Sequence, residues 1–151
     1  MMKYKIIILS VVSVVLAACS TLTLAPAEFG WPIETVLKID DKGFVKEDRY
    51  SFSFNTKQLF FEETLDSTAY SGNSIRIIRN TEGFYFITAI GFKNVYVFKT
   101  DKGALALENK IQINEAGLKN PAFNQRNPFI ELIDEDTSYK LTSEGFSGGV
   151  K

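Results

Sequence analysis

The chain has 151 residues, 45% hydrophobic and 23% charged, with a formal net charge of −1; this is the mixture of one globular domain, not of a disordered chain. It contains no histidine and a single cysteine, which excludes an internal disulfide, a Ser-His-Asp or Cys-His catalytic unit, and a zinc site built from His or several Cys. The first element in chain order is an address. Lys3 and Lys5 precede an apolar run of thirteen residues, Ile6 to Ala18, broken only by Ser10 and Ser13. At 1.5 Å per helical residue it spans roughly 20 Å, short of the roughly 30 Å hydrocarbon core. A positive start, a short apolar middle and small residues at the end form the pattern of a secretory signal peptide.

The run ends in Leu16-Ala17-Ala18-Cys19, which resembles the lipobox of bacterial lipoproteins at every position. The resemblance covers about an eighth of the chain, and the sole cysteine stands where the motif requires it. It implies that the Cys19 sulfur receives a diacylglyceryl group, that the signal is cut just before it, and that the new amino group is often acylated. It also implies a cell-envelope location. In proteobacterial relatives an Asp after the cysteine retains the protein in the inner membrane; Ser20 stands there, which favours the outer membrane.

Cleavage would leave 133 of the 151 residues and, without Lys3 and Lys5, 15 basic against 18 acidic side chains, a balance of −3. That is no nucleic-acid footprint, which needs a basic stripe. Nor does any Lys or Arg cluster help at an anionic membrane, so the lipid alone must anchor the chain. Ser20 to Ala27 is small and uncharged, and residues 19–30 read as a lipidated tether. Eleven residues separate Cys19 from Trp31, a reach of roughly 40 Å at 3.6 Å per extended residue.

Residues 31–142 read as an all-β domain, a small antiparallel β-sandwich or a meander barrel. Apolar residues keep a period near two, with aromatic and β-branched types prominent. Tyr50 to Phe54 alternates strictly, Phe84 to Ile90 is apolar on both faces and suits a central strand, and Val95 to Phe98 follows. Shorter candidates are Ile33–Ile39, Ser74–Ile78, Ala104–Leu107, Lys110–Ile113, Ile130–Ile133 and Tyr139–Thr142. Between them Asp40-Asp41-Lys42-Gly43, Asn80-Thr81-Glu82-Gly83 and Thr100-Asp101-Lys102-Gly103 share polar residues followed by glycine, the chemistry of a type I turn with a left-handed last residue. Helical turns are expected over Gln58–Leu65 and Ile113–Leu118. The thirteen Phe residues are expected mostly in the core, and 143–151 as a flexible tail.

Little of the sequence points to catalysis. Gly145-Phe146-Ser147-Gly148-Gly149 matches the G-x-S-x-G pattern of a nucleophile elbow, but that motif works at a strand-to-helix turn with a base downstream, and the chain has no histidine. Glu62 and Glu63 are adjacent, so on a strand they would face opposite sides. Asp134-Glu135-Asp136 reads as a solvated hairpin turn without the spaced ligands and glycine of a calcium loop. No phosphate-cradling glycine loop occurs. The expectation is therefore a non-enzyme without metal or cofactor: a lipid-anchored accessory subunit or protein-interaction module with an envelope protein partner. The alternative is a barrel carrying a small apolar ligand.

The irregular stretch Glu115 to Phe129 holds two prolines among amide, guanidinium and ring groups. It reads as a long loop, and such loops are often functional. Phe123, Asn124, Gln125, Arg126 and Phe129 are the expected partner-binding residues; a strand crossover tied down by its own hydrogen bonds and buried rings is the competing reading.

Overall fold

A computed structural model describes residues 33–48, 52–102 and 104–147. Among these residues eleven strands and one helix follow one another: β1 Thr35–Lys38, β2 Phe44–Glu47, β3 Phe52–Asn55, α1 Lys57–Thr64, β4 Ser74–Arg79, β5 Tyr85–Thr88, β6 Asn94–Asp101, β7 Ala104–Gln112, β8 Pro121–Arg126, β9 Phe129–Asp134, β10 Thr137–Thr142 and β11 Gly145–Phe146. They form a five-stranded sheet in the order β1-β4-β5-β6-β7, a four-stranded sheet β11-β10-β9-β8 and the hairpin β2-β3. Every pairing is antiparallel. The fold is all-β and sandwich-like, and among the described residues no sheet closes into a barrel.

The five-stranded sheet is the middle layer, because alternate side chains of its strands feed two separate cores. On one face Ile75, Ile77, Tyr85, Ile87 and Tyr96 pack with Leu37, with Val45 of β2 and with Leu59 and Phe60 of α1. On the other face Ile78, Phe86, Val95, Val97 and Ile111 meet Phe123, Ile130, Leu132 and Leu141 of the second sheet. All four residues of β5 are buried, as expected of the central strand. Rings join the layers edge to face, Phe52 on Tyr85 at 5.3 Å and Phe60 on Phe92 at 4.8 Å between centroids, the geometry that ring quadrupoles favour. Glu34 ties the two sheets directly: one carboxylate oxygen pairs with Arg76 of β4 at 2.9 Å, and the other accepts from the Phe123 N–H of β8 at 2.9 Å.

The two described polar-then-glycine turns have the expected form. Asp40 Oδ1 accepts from the N–H groups of Lys42 and Phe44 at 2.9 and 2.8 Å, and Asn80 Oδ1 does the same for Glu82 and Phe84 at 3.1 and 2.9 Å. Short polar side chains thereby replace missing ladder bonds, and Gly43 and Gly83 take φ of +86° and +90°. In the third turn Lys102 is left-handed at φ +48°, and Gly103 lies outside the described residues.

Several sequence expectations need correction. Pro121–Arg126, within the expected loop Glu115–Phe129, is strand β8. Pro121 and the polar Asn-Gln-Arg run argued against a strand, but proline is tolerated as the first residue of an edge strand, which β8 is. Residues 143–147 do not belong to a tail: β11 pairs with β10, and the Ser147 N–H donates to the Lys140 carbonyl at 2.7 Å. Ala104–Leu107 and Lys110–Ile113 are parts of one strand, β7. The short strand β2, with Val45 its one buried apolar residue, has no counterpart among the expected elements. The helical turns expected over Gln58–Leu65 are present as α1, which carries Glu62 and Glu63.

Ile113–Leu118 is not helical but a turn strapped onto the β5–β6 connection. Leu118 donates to the Phe92 carbonyl at 2.8 Å and accepts from the Gly91 N–H at 2.7 Å. Gly117 has φ +87°, and a Cβ there would stand 2.7 Å from the Gly91 carbonyl oxygen. Left-handed strain and a backbone clash then act together, so Gly117→Ala is expected to lower stability by about 2 kcal/mol or more. Chemical denaturation of the two proteins checks this.

Candidate functional site

The outer face of the four-stranded sheet carries the residues that the sequence singled out, after sorting by the pleat. Phe123, Ile130, Leu132 and Leu141 point into the core. Their neighbours therefore point outward, in rows set by the register: Asn124–Glu131–Lys140, Arg126–Phe129 and Ala122–Ile133–Ser138. Of the five expected contact residues, Asn124, Arg126 and Phe129 share this face. Phe123 does not; it is 6% exposed and belongs to the core, so it is withdrawn as a contact residue. Gln125 pairs in register with inward-facing Ile130 and shares its side of the sheet, and its Nε2 donates to Asn127 Oδ1 at the hairpin turn.

Glu131 is the hub of the face, a role visible only through the register of β8, β9 and β10. Its Oε1 accepts from Ser138 Oγ at 2.8 Å, and its Oε2 accepts from Arg126 Nε at 3.1 Å and from Asn124 Nδ2 at 3.4 Å. The Ser138 hydroxyl foremost, then the Arg126 guanidinium and the Asn124 amide, hold its carboxyl below the usual glutamate range against a cost of partial burial. A carboxylate engaged by three donors is poorly placed to act as a base; it ties the Arg126 guanidinium to the sheet through Nε. Lys140 Nζ lies 5.0 Å from the centroid of the Phe129 ring, a cation–π contact. The patch thus presents a guanidinium, an ammonium, an amide and a half-buried ring, which is contact chemistry.

Arg126 is exposed, its side chain at 61%, and it uses Nε alone toward Glu131. Arg126→Ala is expected to change folding stability by less than about 0.5 kcal/mol, as for exposed ion pairs. Partner binding should weaken by about 1 kcal/mol or more. Thermal unfolding beside a partner-binding titration separates the two. A collapse of stability would make Arg126 a structural residue.

The remaining candidates are dispersed. Asp134 is buried, not solvated: its Oδ1 accepts from the N–H groups of Lys119 and Asn120 at 3.0 and 2.7 Å, closing the entry to β8. Glu135 and Asp136 are exposed at the hairpin as expected, with Glu135 at φ +52° and 3.1 Å from Lys119. Glu63 points inward and Glu62 outward to Lys110 at 3.3 Å. Among the described residues no three His, Cys, Asp or Glu side chains converge as a metal site. Cys19 and the tether lie outside the described residues. Comparison with protein families, with curated proteins and with solved structures finds no match.

Proposed function

We propose that the protein is a lipid-anchored lipoprotein of the bacterial cell envelope, held in the outer membrane, whose β-domain serves as a non-enzymatic accessory subunit or protein-interaction module. The observation that carries this reading is Leu16-Ala17-Ala18-Cys19 behind a short apolar run with a positive start. Two acyl chains hold a protein on a bilayer where one does not. The polar outer face of the β8–β11 sheet, with Arg126 and Phe129 in one row, supports a contact role over a catalytic one, since hot spots favour arginine and aromatic residues.

The test is cell fractionation followed by crosslinking from the anchored chain. A defined envelope protein, crosslinked in the wild type and less so with Arg126→Ala, supports the module. A chain found in the soluble fraction, or one that crosslinks to nothing at native abundance, overturns it.

A further inference from the structure

The long strand β7 ends the five-stranded sheet, and among the described residues no strand pairs with its outer side, although β11 lies beside it and Asn109 Nδ2 donates to the Ser143 carbonyl at 3.1 Å. Such edges offer a row of unpaired N–H and C=O groups, and proteins guard them with Lys, Pro or bulges. The guards here protect only half of β7. Val97 pairs with Asn109 but Phe98 pairs with Leu107, which leaves Glu108 as an extra, bulged residue, and Lys110 follows it. Ala104-Leu105-Ala106-Leu107 itself contains no Lys, Pro or bulge.

The same bulge builds a groove beside the unguarded half. It keeps Leu105 and Leu107 on the face of Tyr96 and Phe98, while Asn109 and Ile111 follow Val97 and Val95 to the opposite face. A groove of about 300 Å³ results, floored by Tyr96, Phe98, Leu105 and Leu107 and walled by Leu59 and Phe54. Gln58, Asn55 and Glu62 supply polar groups at its rim, and Leu107 at its mouth is 50% exposed. That volume is at the foot of the range of about 300–1,000 Å³ for small-molecule sites, so it suits one or two side chains better than a lipid or pigment. Four unguarded residues are also too few for the roughly 1,200–2,000 Å² that a stable dimer buries. An extended peptide fits both features, since main-chain bonds to an edge give affinity and a neighbouring pocket gives specificity. Asp101 and Glu108, exposed on either side of Ala104–Leu107, form no ion pair among the described residues.

We propose that the outer edge of β7 over Ala104–Leu107 docks an extended segment of a partner protein as an added strand, with one apolar side chain in the adjoining groove and basic residues facing Asp101 and Glu108. This rests on the reading of the domain as an interaction module.

The probe is a fluorescein-labelled octapeptide alternating leucine with threonine and bearing lysine at both ends, titrated by anisotropy against the detergent-solubilised full chain. Saturable binding is expected, at least tenfold weaker for Leu107→Lys. An N-methylated peptide, which lacks alternate backbone donors, should also bind at least tenfold more weakly to the unaltered protein, a comparison that needs no variant to fold. Equal binding by Leu107→Lys, or by the N-methylated peptide, overturns the inference. So does a dimer that Leu107→Lys dissolves, which would make a second copy the occupant. An envelope protein still crosslinked by Leu107→Lys overturns the edge site and leaves the module reading standing. Peptide binding that Leu107→Lys abolishes, in a chain without an envelope partner, overturns the module reading and with it the docked partner, leaving only an edge able to accept a strand.

Discussion

Glu63→Ala is expected to destabilise the domain by about 3 kcal/mol or more, because it strips the acceptor from three donors at once. Glu63 stands in the last turn of α1, 8% exposed. One oxygen accepts from the Lys93 N–H at 2.7 Å; the other accepts from Asn94 Nδ2 at 2.7 Å and from Tyr96 Oη at 2.8 Å. All three donors lie on β6 or the turn before it, so this one carboxylate fastens the helix over the middle sheet. Burial first, and then the hydrogen bond to Glu63, pushes the Tyr96 phenol well above its ordinary pKa, and the hydroxyl remains a donor across the physiological range. Intrinsic helix propensity predicts the opposite sign, since alanine is the best helix former, so the direction of the effect decides between the two. Glu62→Ala is the control. Its ion pair with Lys110 is partly exposed and worth at most about 1 kcal/mol. Urea unfolding of the three proteins makes the comparison, and a Glu63→Ala loss no larger than that of Glu62→Ala would refute the fastening role.

Glu63 also shows where reading the sequence stops. Two adjacent glutamates look solvated, and only the phase of a helix together with a contact thirty residues away reveals the buried one. The parts that were legible are local: residues 84–90 are apolar on both faces because the strand they contain lies between two cores, and Asp40 and Asn80 start turns because their own side chains complete the backbone bonding. Strand β7 shows how local periodicity can mislead. Leu105, Leu107, Ile111 and Ile113 all occupy odd positions, so strict alternation would set them on one face. The extra residue at Glu108 splits them: Ile111 and Ile113 pack with one core, Leu105 packs with the other, and Leu107 stays on the side of Leu105, half exposed. Phe123 leaves the contact set for a related reason. Once Pro121–Arg126 is a strand, its pleat sends Phe123 inward and Arg126 outward, and Glu131 and Ser138 become neighbours through register alone.

Cys19→Ser is expected to abolish lipid anchoring, the largest change any single substitution should produce in this chain. A hydroxyl is a far weaker nucleophile than a thiol, so the diacylglyceryl transfer that the lipobox resemblance implies has no acceptor. Wild-type chain should show an intact mass lowered by residues 1–18 and raised by the lipid, whereas Cys19→Ser should appear as an unlipidated precursor or as released domain. The solubility of the wild type follows from the same physics. A balance of −3 after cleavage gives no electrostatic hold on an anionic surface, so a high-salt wash should leave it in the membrane pellet and detergent should release it. A single acyl chain binds only marginally, at about 10⁴ M⁻¹; retention through repeated washing therefore reports at least two chains. Unmodified Cys19, cleavage at another residue, or release by salt alone would each overturn the anchor. With the anchor in place, the eleven residues between Cys19 and Trp31 limit the domain to roughly 40 Å from the bilayer. Any partner reached by the outer face at Arg126 or by the edge at Leu107 must then stand in or beside the same membrane. Lengthening the tether should weaken its capture through a lower effective concentration.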